Sequence, residues 1–134
     1  MSKGPAYEKA RVLIVEDETF TRDIIKRLLL QIGVRSVKEA ADGGTGFAAL
    51  LVARPHLVLC DVHMKPIGGL EFMRMVRQSE IPWVAATKIV MLTADSQVET
   101  VMNAKVMGVE GYIVKPVSLN SVKLKLDRAL EGVV

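Results

Sequence analysis

The sequence has few aromatic residues, one cysteine and no long apolar stretch. Aromatic residues make up only 4% of its 134 residues, and Cys60 is its single cysteine. One cysteine excludes an internal disulfide and fits a reducing compartment. No apolar stretch reaches the roughly 18 residues that a membrane-spanning helix needs, and the N-terminus has no apolar signal-peptide core. We therefore expect a soluble cytoplasmic protein with no membrane partner.

The charge of the chain is small and evenly spread. It carries 18 Lys and Arg residues against 15 Asp and Glu residues, a formal net charge of +3. The basic residues are scattered and are not interleaved with aromatic residues, so no nucleic-acid partner is predicted. Half of the residues are hydrophobic, which is enough for the core of one domain of this length. We expect a flexible, mostly polar tail over residues 1–10 and one domain over residues 11–134.

Short apolar runs alternate with segments of helical periodicity along the chain. Strands are predicted at 11–15, at 34–40, in the run that ends at Asp61, at 88–93 and at 110–114. A helix is predicted after each strand. The fourth of these helices begins at a capping-box pattern, Ser96 to Glu99, and ends at Gly108. The connection from Ser79 to Thr87, which contains Trp83, is longer than needed. This alternation predicts an α/β domain, with a parallel sheet covered on both faces by five helices.

Polar side chains follow four of the five predicted strands. Glu16 and Asp17 follow the first, Asp61 ends the third, Thr93 ends the fourth and Lys115 follows the fifth. In a parallel sheet these positions share one edge, where ligands of open α/β sheets bind. Three carboxylates brought together repel one another, and a bound Mg²⁺ ion, which takes oxygen ligands, usually offsets this repulsion. A hydroxyl and an ammonium group beside the ion would hold a phosphoryl group. Asp61 then remains as the nucleophile that forms an aspartyl phosphate.

This ordered set of residues resembles the receiver domain of two-component response regulators over about residues 10 to 131. The matching positions are Glu16-Asp17, Asp61 with Met64 and Gly69 after it, Thr93-Ala94, and Tyr112 three residues before Lys115-Pro116. The resemblance implies a flavodoxin-like, doubly wound sheet with strand order 2-1-3-4-5. It also implies phosphorylation of Asp61 by a phosphohistidine donor, either a histidine kinase or a histidine phosphotransfer protein. Such a protein is not an enzyme and signals by binding a downstream protein target.

The resemblance further implies a set of metal ligands. Mg²⁺ would be held by the carboxylates of Asp17 and Asp61 and by the backbone carbonyl of His63. Glu16 would act mainly through water. The family often has a proline four residues after the phosphorylated aspartate, where this sequence has Lys65 followed by proline.

The resemblance also assigns roles around the phosphoryl group. Thr93, Ala94 and Lys115 would bind its oxygens, and the bond between Lys115 and Pro116 would be cis. Thr93 and Tyr112 would form a switch, in which the tyrosine ring moves inward when the threonine moves toward the phosphate. The surface that reports this change would be made by the fourth helix, the fifth strand and the fifth helix.

Two other functions of similar folds are less compatible with the sequence. A flavodoxin needs a phosphate-binding loop after the first strand, and Glu16-Asp17-Glu18 would repel a phosphate there. A phosphatase of the haloacid dehalogenase type needs a second acid two residues after its nucleophile, where this chain has His63.

The output of the protein has more than one interpretation. The chain ends soon after the fifth predicted helix, which favours a stand-alone, monomeric receiver that binds a target protein. Such a receiver could also carry phosphate in a phosphorelay, with the donor docking near Phe20 and Ile24. A receiver excised from a larger regulator with an output domain is the alternative.

Overall fold

The computed structural model describes residues 6–94 and 105–133. Its strands are β1 (Arg11–Val15), β2 (Ser36–Ala40), β3 (Leu57–Asp61), β4 (Ile89–Thr93) and β5 (Gly111–Val114). Its helices are α1 (Thr19–Ile32), α2 (Gly43–Ala53), α3 (Gly69–Arg77), the single turn α4 (Pro82–Ala85) and α5 (Leu119–Leu130). Most of the predicted helix from Ser96 to Gly108 lies outside the described residues. Within the described ranges, no helix is both long and apolar enough to cross a membrane.

The five strands form one parallel sheet in the order β2-β1-β3-β4-β5, which confirms the predicted flavodoxin-like architecture. The central strand β3 is buried along its whole length. Its register places Cys60 beside Val15 of β1 and Asp61 beside Leu92 of β4. The carboxyl ends of these three strands therefore lie at one edge of the sheet, at nearly the same level.

The core lies in two layers, one on each face of the sheet. Alternate residues of each strand point to opposite faces, so Leu57 and Leu59 face one layer while Val58 and Cys60 face the other. The first layer is closed by α1 and α5, and the second by α2 and α3. Because both faces are covered, the central strands read as continuous apolar runs.

The segment before β1 is packed on the domain. Tyr7–Lys9 form one 3-10 turn, the ring of Tyr7 packs against the first core layer, and its hydroxyl donates a hydrogen bond of 2.5 Å to Asp127. Ala10 is fully buried. The flexible tail predicted over residues 1–10 is therefore wrong for residues 7–10. Polar composition there hid one amphipathic ring that buries its apolar part and satisfies its hydroxyl.

One arginine fastens the long connection after α3. In that connection Pro82 opens α4, and Trp83 packs against the second core layer. The guanidinium of Arg77 donates hydrogen bonds of 2.8 to 3.0 Å to four backbone carbonyls, those of Ala85, Thr87, Met107 and Gly108. A single side chain thus links α3, the connection around Trp83 and the segment that leads into β5.

His56 begins the turn into β3 as a neutral hydrogen-bond acceptor. Its Nδ1 accepts a hydrogen bond of 3.0 Å from the backbone N–H of Arg11. Burial lowers the pKa of His56, and the positive charges of Arg11 and Lys88 lower it further. The unfolded chain therefore takes up this proton first, so the free energy of unfolding falls as the pH drops below about 6.5.

We expect the wild-type protein to lose more stability than the variant His56→Asn between about pH 7.5 and about pH 5. An asparagine Oδ1 can accept the same hydrogen bond but does not titrate. Urea denaturation at both pH values measures the two losses. Equal losses would show that His56 does not take up a proton on unfolding.

Candidate functional site

Three carboxylates meet at the carboxyl edge of the sheet. Glu16 follows β1 directly, Asp17 is next, and Asp61 ends β3. One carboxylate oxygen from each lies within 4.8 Å of the others, with Glu16 and Asp61 buried and Asp17 exposed. The structure therefore brings together the three acids that the sequence placed at strand ends, in a cluster that could hold a metal ion.

Glu16 is the most enclosed of the three acids, with only 1% of its surface exposed. Its Oε1 accepts a hydrogen bond of 3.0 Å from Lys115 Nζ, and its Oε2 accepts one of 3.2 Å from the backbone N–H of Glu18. Burial raises the pKa of Glu16 to about 7; the hydrogen bond from Lys115 opposes this shift and the charge of Asp61 adds to it. Glu16 thus has a direct cationic partner, besides the role through water that the resemblance implied.

Lys115 lies between two of the acids. Its Nζ is 3.0 Å from Asp61 Oδ1 and 3.0 Å from Glu16 Oε1. Burial alone would lower the pKa of this ammonium group, but the hydrogen bonds and charges of the two carboxylates outweigh burial and raise it. The backbone N–H of Lys115 donates to Thr93 O at 2.7 Å, and its bond to Pro116 is cis, as expected. The site therefore keeps one positive charge beside the oxygen of Asp61.

The two predicted switch residues lie on neighbouring strands. Thr93 is 2% exposed at the end of β4, and its Oγ1 donates a hydrogen bond of 3.1 Å to the backbone oxygen of Ala94. Tyr112, on β5, is 41% exposed, and Lys105 Nζ lies 6.0 Å from its ring centroid. In this structure the tyrosine is thus in an outward position, while Thr93 is buried at the end of β4.

The loop after Asp61 carries His63, which is exposed, and a second cis bond at Lys65–Pro66. Two glycines hold this loop closely. The backbone N–H of Gly69 donates to Val62 O, and that of Gly43 donates to Ile67 O, both at 2.9 Å. A Cβ on Gly69 would overlap the carbonyl oxygen of Asp61, and one on Gly43 would lie 3.0 Å from Ile67 O.

The contact between the Asp42-Gly43-Gly44 segment and the loop after Asp61 was not predicted from the sequence. Asp42 accepts hydrogen bonds from the N–H groups of Gly44 and Thr45 and so begins α2. The paired glycines were the available signal, because adjacent glycines permit close backbone approach. A second residue that was missed is Arg22, whose guanidinium donates to the backbone oxygen of Glu16 at 2.7 Å.

The donor set fits a hard divalent cation. All three side chains offer carboxylate oxygens, which Mg²⁺ and Ca²⁺ prefer over nitrogen or sulfur ligands. Burial raises the pKa of Glu16, and the negative charge of Asp61 raises it further. Lys115 is the cation that bridges these two acids. A further positive charge would relieve the repulsion.

Known proteins share this arrangement over nearly the whole chain. Residues 12–127 match the response regulator receiver domain family. The chain is 33% identical over 121 residues to chemotaxis protein CheY-3 of Vibrio cholerae, covering 90% of this chain and 92% of that protein. It is 32% identical over 123 residues to chemotaxis protein CheY of Pseudomonas aeruginosa, covering 92% and 98% of the two chains.

Solved structures agree with this result. The structure of Vibrio cholerae CheY4 superposes with a TM-score of 0.81 at 32% identity, covering 90% of this chain and 98% of that one. The receiver domain of NtrX from Brucella abortus gives a TM-score of 0.80 at 27% identity, covering 90% and 98%. The chain therefore belongs to the response regulator receiver domain family, whose members work in two-component signalling.

Proposed function

We propose that Asp61 accepts a phosphoryl group from the phosphohistidine of a histidine kinase or a histidine phosphotransfer protein. The phosphorylated protein then signals by binding a downstream protein target and does not act as an enzyme. One observation carries this proposal. Asp61 ends the central strand with Lys115 Nζ at 3.0 Å and with the carboxylates of Glu16 and Asp17 in the same cluster.

The transfer needs a nucleophile and a way to balance negative charge. A carboxylate oxygen of Asp61 attacks the phosphorus, an O–P bond forms, and the N–P bond of the phosphohistidine breaks. The imidazole nitrogen leaves with the electron pair of that bond. Both the acceptor and the phosphoryl group are negatively charged, so the Lys115 ammonium lowers the repulsion between them. Thr93 and Ala94, at the end of the next strand, would bind the remaining phosphoryl oxygens.

Mg²⁺ is the cofactor that we propose for this site. Asp17, Asp61 and the backbone carbonyl of His63 would hold the ion, with Glu16 behind them and water completing its coordination. When bound, Mg²⁺ would neutralise charge on the phosphoryl oxygens. With so few protein ligands, the protein should bind the ion weakly in the absence of phosphate.

Phosphorylation can be tested with a small acyl phosphate such as acetyl phosphate in the presence of Mg²⁺. We expect the intact mass to increase by one phosphoryl group in the wild-type protein and to stay unchanged in Asp61→Asn. The variant Asp23→Asn is a matched control, since it changes an exposed aspartate on α1. Equal labelling of Asp61→Asn would show that another residue is the acceptor.

We propose that Tyr112 lies on the surface that binds the downstream target. Its ring is amphipathic and 41% exposed on β5, one strand away from Thr93. Inward and outward positions of such a ring differ by little free energy, so a phosphate near Thr93 could shift their populations. The helix predicted from Ser96 to Gly108 would complete this surface, and most of it lies outside the described residues.

We expect Tyr112→Ala to leave labelling of Asp61 unchanged and to weaken target binding by about tenfold. Tyrosines that become buried in a protein–protein interface are frequent hot spots. A pull-down with and without acetyl phosphate identifies the target, and titration measures its affinity. Val52→Ala, which shortens an 86% exposed side chain on α2, is the control. Unchanged target affinity in Tyr112→Ala would favour a carrier role, with a phosphotransfer protein docking on the exposed residues Phe20 and Ile24.

A further inference from the structure

A cleft of about 300 Å³ opens at the edge of the sheet opposite Asp61. Arg11 begins β1, and His56 and Lys88 come immediately before β3 and β4. Arg54 at the end of α2 and Trp83 of α4 complete its walls. Strands of five residues span about 16 Å. The cleft is therefore separate from the acidic cluster, and a ligand in it would not touch the proposed phosphorylation site.

Among the residues that the structure describes, the cleft is lined by cations and by no acidic side chain. Three of its lining residues are cations, namely Arg11, Arg54 and Lys88, and no lining residue is Asp or Glu. Among residues 6–94 and 105–133, none of these three cations takes part in a salt bridge. Burial lowers the pKa of His56, and the nearby positive charges of Arg11 and Lys88 lower it further.

The cationic groups are held in place before any ligand arrives. Arg11 Nε donates a hydrogen bond of 2.9 Å to the backbone oxygen of Arg54, and Lys88 Nζ donates one of 2.7 Å to that of Ala129. The guanidinium carbon of Arg54 lies 4.7 Å from the centroid of the Trp83 ring, a stacking distance. Groups fixed in this way lose little conformational entropy when they bind an anion.

The same cleft offers a planar surface, because the exposed guanidinium of Arg54 lies over the Trp83 ring. Trp83 is half-buried and packs against the second core layer, and Pro55, Ala86 and Val133 are further apolar lining residues. A volume of about 300 Å³ is at the lower end of sites for small organic ligands. The chemistry of the cleft therefore matches a compact ligand that has a phosphate at one end and a planar ring at the other.

We propose that this cleft binds a nucleoside monophosphate, with its phosphate on Arg11 and Lys88 and its base on the Arg54 guanidinium, which stacks on Trp83. Guanidinium groups bind phosphate through paired N–H donors, and bases also stack on guanidinium planes. A compact cleft favours this ligand over an acidic peptide, which needs an extended groove. The proposal is independent of the function proposed for Asp61.

The protein carries its own reporter for this site, because Trp83 is its only tryptophan. We expect AMP or GMP to change the tryptophan fluorescence in a saturable manner at concentrations up to about 5 mM. Inorganic phosphate tests the charge alone, adenosine tests the ring alone, and a hexaglutamate peptide tests the rival ligand. Each of the three should bind at least about tenfold more weakly than the nucleotide, which is about 1.4 kcal/mol.

Substitutions test whether the fluorescence change comes from binding in this cleft. We expect Arg54→Gln and Lys88→Gln each to weaken nucleotide binding by about tenfold or more, and Lys38→Gln, an exposed lysine on β2, to leave it unchanged. Arg54 is exposed, so its variant should fold normally, and circular dichroism checks this for every variant. The proposal is overturned by the absence of a saturable response to both nucleotides. It is equally overturned by tighter binding of hexaglutamate, or by an equal loss of binding in Lys38→Gln.

Discussion

The variant Asp17→Asn is expected to be labelled on Asp61 about 100-fold more slowly than the wild-type protein in the presence of Mg²⁺. Asp17 is the exposed member of the three-carboxylate cluster, so it is the acid that an incoming ion meets first. A metal ion at a phosphoryl group contributes several kcal/mol to such transfers, and a factor of 100 corresponds to about 2.7 kcal/mol. Because the side chain is exposed, the substitution should leave the fold unchanged.

Glu18→Gln is the matched control for this experiment. Glu18 is also exposed and lies one residue away, and its substitution by Gln removes the same single negative charge. Its rate of labelling should stay within about twofold of wild type, since it is not part of the cluster. Titration with Mg²⁺ alone gives a second measurement, in which Asp17→Asn should bind more weakly. If both variants bind Mg²⁺ as well as wild type, the metal site is assigned to the wrong residues.

The variant Gly69→Ala is expected to lower the free energy of unfolding by about 3 kcal/mol, at the upper end for an overpacked site. Its Cβ would overlap the carbonyl oxygen of Asp61, lie 2.8 Å from Met91 Cε and lie 3.0 Å from Val62 Cα. Two of these three neighbours are backbone atoms, so relief requires the loop after β3 to move. The same movement would displace Asp61, and labelling should therefore slow as well.

Gly111→Ala separates this steric effect from a general effect of adding a methyl group. The nearest atoms to a Cβ at Gly111 belong to the end of the Lys125 side chain, at 3.1 to 3.5 Å, and that chain can move away. Its change in stability should stay within about 0.5 kcal/mol of zero. Urea denaturation compares the two variants, and similar stability of both would show that the loop after Asp61 adapts to a side chain.

The placement of the acids could be predicted because it depends on a general property of parallel sheets. Once Glu16, Asp61 and Thr93 are each known to follow a strand, the common direction of the strands brings them to one edge. The strand order came from the family resemblance, and the structure confirms it. The contact between Lys115 and Glu16 required more, since it joins residues that are 99 positions apart.

Features that depend on single long-range contacts were not predicted. Tyr7 is held by Asp127, at a sequence distance of 120 residues, and no local pattern marks that pair. The basic cleft likewise depends on the stacking of Arg54 on Trp83 across two connections. Arg54 also has a positive φ of 46°, a conformation that favours glycine or asparagine. An arginine was therefore not expected at this position of the turn.

The four hydrogen bonds of Arg77 couple two segments that are not adjacent in the sequence. Two of them go to the connection around Trp83, and two go to Met107 and Gly108. Neither segment can detach without leaving part of the guanidinium without partners, which carries a free-energy cost. Amide hydrogen exchange should therefore show both segments opening together, with similar protection. The cleft wall and the segment that leads into β5 would then fluctuate as one cooperative unit.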